Sequence, residues 1–171
     1  MKKTLVLIFT IFTLGAFIYA ETKIGVINPD EVILKTIRGK QVKQKLEKLA
    51  KKLQQQTTKK ENEIKKLEKD LVSPALNAET RDRKSVELQN KKTNLKRFAE
   101  DSRKEWQLQY RKEMMKLTNE IMPIIKKIGK SKNYTLIFDY KNSGISYFDN
   151  TIDITNEVIR DYDLKYSKQN K

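Results

Sequence analysis

From residue 40 to residue 128 the chain sets single apolar residues three or four apart among charged ones, the period of a helix burying one narrow stripe. In the first half the stripe runs Val42, Leu46, Leu49, Leu53, Thr57, Lys60, Ile64, Leu67, Leu71, a coiled-coil seam with one extra step of four. In the second half it runs Leu88, Leu95, Ala99, Ser102, Trp106, Tyr110, Met114, Leu117, Ile121, Ile124, Ile128. Residues 73–79, beginning Ser73-Pro74, supply a helix breaker and capping residues. The pattern predicts two helices folded back on each other, with the tip at about 73–79.

Such arms must project from something, since a helix of ~33 residues reaches roughly 50 Å. Gln54, Gln55, Gln56, Thr57 and Thr58 replace apolar residues mid-arm, so the seam there cannot be a tight apolar core: either the arm flexes about this point or the polar stretch faces solvent. Pro123 interrupts the second stripe and predicts a kink where arm meets base. Trp106 is expected to pack in the seam.

On either side of the arms the pattern changes. Residues 23–28 alternate like a short buried strand. Asn28-Pro29-Asp30-Glu31 then combines a cap, proline at the first helical position and an acid in the first turn, and Gly39 is a place for that helix to bend. After a helix stop at Gly129, residues 134–139 and 145–148 alternate around a short loop and predict a β-hairpin. Thr155 can cap a last helix carrying Val158, Ile159 and Tyr162, with a frayed tail after Leu164.

The expected fold class is therefore α+β, mainly α: a long antiparallel helical hairpin, residues 40–128, inserted in a small β-strand base built from residues 21–39 and 129–171. Three short strands and two short helices bury little. The base is expected to oligomerise through its strands, with Ile24, Val26, Leu136, Phe138, Ile145, Tyr147, Val158 and Ile159 as its residues.

Composition adds a compartment and a field. Lys2 and Lys3 precede an uncharged run ending near Ala20, the pattern of a cleavable signal peptide over residues 1–20. There is no cysteine, so neither a lipidated N-terminus nor a disulfide is available. The whole chain carries +15, and residues 40–128 hold 25 Lys and Arg against 13 Asp and Glu. That excess attracts anionic partners: nucleic acid, anionic lipid or lipopolysaccharide, or acidic polypeptides. Arg81, Arg83, Lys84, Lys91, Lys92 and Arg97, near the tip and along the return arm, are the candidate client-binding group.

Catalytic material is sparse. With no histidine and no cysteine, the commonest general base, thiol nucleophiles and the usual transition-metal ligands are missing. Five dispersed glycines form no phosphate loop, so no nucleotide, cofactor or metal is expected, and the reading is of a non-enzyme.

The strand at residues 23–28 feeding a capped helix, Gly39-Lys40 before a charged arm, the late Pro123, Tyr134-Thr135-Leu136-Ile137-Phe138-Asp139, and Ile145-Ser146-Tyr147 leading to Ile152-Asp153-Ile154-Thr155-Asn156-Glu157-Val158-Ile159 together resemble the Skp/OmpH family of periplasmic chaperones. The resemblance covers essentially the whole chain after residue 20, and its specificity lies in the ends. It implies a homotrimer whose three helical hairpins rise from an interwoven β-barrel base and enclose a cavity. There, unfolded outer-membrane proteins are held without ATP. No catalytic residue and no lipopolysaccharide-binding cluster carries over residue by residue. The rival readings are a basic nucleic-acid-binding protein and an envelope-structural coiled coil.

Overall fold

The computed structural model describes residues 22–169. The expected signal peptide lies outside the described residues. In order come β1 (Ile24–Ile27), α1 (Pro29–Lys35), α2 (Ile37–Leu71), α3 (Ala78–Ser131), β2 (Leu136–Asp139), a 3-10 turn (Asn150–Ile152) and α4 (Thr155–Gln169). At 1.5 Å per residue, the 35 residues of α2 and 54 of α3 reach about 50 and 80 Å.

Each helix starts where a side chain takes up free amides. Asn28 accepts from the Glu31 N–H, Thr36 from Gly39 and Asn77 from Thr80. The break between α1 and α2 falls at Thr36, three residues before the glycine expected to make it. Gly39 instead lies inside α2, where an added Cβ would stand 1.5 Å from the Ile33 carbonyl oxygen. Its role is to let the end of α1 lie against the start of α2.

Two other ends differ from expectation. α3 passes through Pro123 and Gly129 and stops at Ser131, and the left-handed residue beyond it is Asn133, at φ 56°. A proline inside a long helix forfeits one amide donor, and the packed turns on both sides carry the helix across. At α4 the capping oxygen belongs to Asp153, which accepts from the Thr155 N–H. The Thr155 hydroxyl accepts instead from the Asn28 N–H at 2.9 Å, tying α4 to β1.

The expected β-hairpin does not form. β2 pairs with β1 in parallel, Ile24 opposite Leu136 and Val26 opposite Phe138, because the arms carry the chain out and return it to the same end of the base. After β2, Asp139 turns the chain: its carboxylate accepts from the Lys141 N–H and the Asn142 side-chain amide, and its carbonyl accepts from Ser143. On the other edge of β1, Val26 bridges to Asp153. Residues 145–148 are left without a strand partner among the described residues, held near β2 by the Tyr140–Phe148 ring contact at 4.7 Å.

The core sits where the arms join the base. Ile27, Val32, Val42, Leu46, Leu117, Ile121, Ile124, Ile128, Ile154, Val158 and Tyr162 form one buried cluster. Further out only Leu53, Ile64 and Leu67 of the first arm are buried. On the second arm the residues turned inward are Leu88, Lys91, Leu95, Phe98, Ser102, Trp106, Gln109 and Glu113, whereas Ala99 and Tyr110, expected in the stripe, are exposed. The extra step of four after Leu53 lies level with a matching step between Ser102 and Trp106, since Lys45 meets Glu113 and Lys60 meets Phe98 on either side. Two steps at one height let both stripes rotate together and keep facing. The polar stretch at Gln54–Thr58 is thus carried in continuous helix.

Candidate functional site

The tip is closed by an arginine. Arg81 donates from one guanidinium nitrogen to the Leu71 carbonyl at 3.2 Å and from another to Ser73 at 3.3 Å, satisfying carbonyls at the end of α2. Below it the return arm presents lysines to acids on the first arm. Lys84 meets Asp70 at 3.0 Å, Lys91 meets Glu63 at 3.0 Å and Lys92 meets Glu68 at 2.7 Å. The hydrogen bonds from Lys91 and Lys84 hold the Glu63 and Asp70 carboxyls below their ordinary range, and the Glu63 bond lifts Lys91. Four of the six basic residues singled out in the sequence are therefore engaged in holding the hairpin together. Arg83 and Arg97 are exposed and form no ion pair among the described residues. Lys59, Lys65, Lys66, Lys96 and Arg103 share that state and supply the field that reaches solvent.

Toward the base the character changes. Trp106 and Tyr110 stack at 5.3 Å, and with Leu34, Val42, Leu46 and Met114 they line an open groove of about 700 Å³ between α1 and the two arms. Tyr110 is 44% exposed and Leu34 58%. Next to this groove, Glu113 is buried in the seam. Its Oε1 accepts from Lys45 Nζ at 2.6 Å and from Gln109 Nε2 at 2.8 Å, and its Oε2 faces an Arg38 guanidinium nitrogen at 3.5 Å. The Lys45 bond outweighs desolvation, so the Glu113 carboxyl is held below its ordinary range and stays charged.

α4 fastens the same region from the other side. The Asp163 carboxylate accepts from the Ile37 N–H at 2.9 Å, the Tyr166 hydroxyl bonds Gln41, and the Tyr162 hydroxyl donates to Glu120. Burial, with the Glu120 carboxylate beside it, pushes the Tyr162 phenol far upward, so it is a fixed donor.

The sheet divides the residues expected to form the base. Val158 is spent inside the chain's own core and Ile159 packs against it, whereas Val26 is buried outside that cluster, on the sheet face it shares with Ile24, Leu136 and Phe138. Ile24, Leu136 and Phe138 are exposed on the face opposite Ile27 and Ile137, and Tyr147 is 84% exposed beside the half-buried Ile145. This is an apolar face with a strand edge along β2 that is unpaired among the described residues. Among the described residues no group of three His, Cys, Asp or Glu could hold a metal ion, and no helix is long and apolar enough to cross a membrane. The arrangement is one for contact: charge along the arms, aromatic and thioether surface at their root, and an apolar sheet below.

The sequence profile of a family described as outer membrane protein (OmpH-like) matches residues 23–162, spanning β1, both arms, β2 and most of α4. The chain belongs to the OmpH-like family. A solved structure agrees in fold: a candidate outer membrane chaperone, OmpH-like, from Caulobacter crescentus CB15 superposes with a TM-score of 0.76. At 16% identity it covers 85% of this chain and 86% of that one. No curated protein matches the chain.

Sequence reasoning missed Gln109 and Glu113 as seam residues. A signal was available, because Gln109, Glu113 and Leu117 continue the steps of four that reach Ile121.

Proposed function

We propose that this OmpH-like protein is an ATP-independent holdase chaperone of the periplasm. Residues 1–20 direct its export and are removed. Three copies associate through Ile24, Leu136, Phe138, Ile145 and Tyr147, and their arms surround unfolded outer-membrane β-barrel proteins. The observation that carries this reading is the pairing of long, net-basic arms with a base that leaves an apolar sheet face and a strand edge uncovered. A partner copy would complete the base, since a two-stranded sheet is marginal by itself.

Binding of this kind needs no reaction. Unpaired arm lysines and arginines, Arg83 and Arg97 among them, draw in anionic segments, and the exposed aromatic and Met surface at the arm root takes apolar ones. Holding a client between arms keeps its strand edges from meeting those of another client. Salt weakens capture by screening the first of these contributions and not the second.

The deciding experiment takes residues 21–171, dilutes a urea-unfolded outer-membrane β-barrel into it without nucleotide, and records light scattering and oligomer mass together. Suppression by a trimer at near one trimer per client is the expected result. An intact oligomer that leaves aggregation unchanged overturns the proposal and favours a nucleic-acid or envelope-structural role.

A further inference from the structure

Glu113 is the one deeply buried carboxylate among the described residues, with its side chain 1% exposed, at a seam position where the neighbouring turns hold Leu117 and Trp106. Burying a charge in a helix seam costs more than burying a leucine of similar size. The protein therefore forfeits stability at this site, and the geometry shows what it obtains. Lys45 and Arg38 both lie on the first arm, two helical turns apart, and Glu113 on the second grips both, one with each oxygen. Arg38 stands in the first turn of α2, next to the Ile37 amide that Asp163 of α4 caps. One carboxylate thus links the return arm to the point where the first arm leaves the base.

The two grips differ. Oε1 is saturated by Lys45 and Gln109, both within hydrogen-bond distance. Oε2 has no hydrogen bond, and its charge partner Arg38 is at 3.5 Å. A slide of α3 along α2 by one turn would strand the buried charge, whereas a small pivot about Lys45 only alters the Arg38 contact. The joint resists change of register and permits change of angle.

We infer that Glu113 is a positioning residue, setting the register of the hairpin and the angle at which it leaves the base. That angle fixes the space between arms, a consequence that rests on the holdase reading. The residue touches no client.

The test uses the absence of cysteine. Cysteines replacing exposed Ala75 at the tip and Asn156 on α4 carry spin labels, and labelled chains are diluted into unlabelled ones so that pulsed electron resonance reads one chain. Without client present, Glu113→Leu, Glu113→Gln and Arg38→Gln should each broaden the tip-to-base distance distribution and move its maximum. The Glu113→Gln/Arg38→Gln double variant should go no further than either single one, as two halves of one contact require. Glu113→Leu removes the only buried member of the group and leaves Lys45 and Arg38, 57% and 24% exposed, able to reach water, so it should do this while melting no lower than the parent. Unchanged distributions in Glu113→Gln and Arg38→Gln overturn the inference. Broadening in proportion to lost thermal stability also overturns it, leaving Glu113 merely structural. Because no client enters the measurement, it stands apart from whether aggregation is suppressed. If both hold, the variants should change the largest client retained and leave the capture of small ones alone.

Discussion

The two ends of the arm are held by opposite means. At the root, Val42 and Leu117 are fully buried, α4 packs against both arms and α1 against the first, and the one charge in the seam is enclosed. Toward the tip burial dwindles to Ile64 and Leu67, and the helices meet mainly through Lys84–Asp70, Lys91–Glu63 and Lys92–Glu68, all open to water. Apolar burial sustains a root that must keep its angle, and exposed ion pairs contribute little stability but fix which residues face each other. The difference teaches that the arm is anchored at one end and only aligned at the other.

The contrast can be broken most severely at the root. Leu117→Ala should cost about 2–5 kcal/mol in urea unfolding, because a fully enclosed side chain leaves a cavity in the core cluster. Next comes Gly39→Ala, where the new methyl meets the Ile33 carbonyl and α1 must move away; about 1–3 kcal/mol is expected.

Acid sharpens the same comparison. A carboxyl whose folded pKa is lowered adds stability that is complete above its unfolded value and vanishes as pH falls through the folded one. For Glu113 that window opens below its ordinary value of 4.5. The parent should therefore lose stability more steeply than Glu113→Gln below that pH, and the two should run parallel above it. The smallest effect belongs to the tip. Lys91→Gln with Lys92→Gln should leave the melting midpoint within error of the parent, yet amide exchange near the tip should quicken. Salt near 1 M, where screening acts within about 3 Å, should quicken tip exchange in the parent too.

Legibility in the sequence followed the same division. The arms were readable because a stripe at helical spacing is local information, and Asn28-Pro29-Asp30-Glu31 announced α1 in four residues. The strand arrangement was not. Alternation at residues 145–148 is real, but whether a segment pairs depends on an edge being free, and β1 already engages β2 on one side and Asp153 on the other. A helix break and a cap were misplaced where two candidates stood close together: the break at Thr36 against Gly39, the cap at Asp153 against Thr155. Charge excess pointed to a basic group on the return arm but could not distinguish lysines that face the opposite helix from those that face solvent. That distinction needs the phase of both helices, and Ala99 in place of Phe98 shows how a one-residue error in phase hides it.

The parallel pairing of Ile24 with Leu136 has a consequence in time. These neighbours are 112 positions apart, and nothing in β1 can be satisfied until the chain has made both arms. The helical hairpin forms from local contacts and, once zipped, delivers residues 37 and 131 to the same place. This shortens the loop that β1 and β2 must close to roughly a dozen residues and spares about 2 kcal/mol of chain entropy. The arm is thus a folding device before it is a binding one. A chain lengthened equally in both helices should fold at nearly the parent's rate, whereas one with the tip turn opened should fold slowly and leave its first strand waiting.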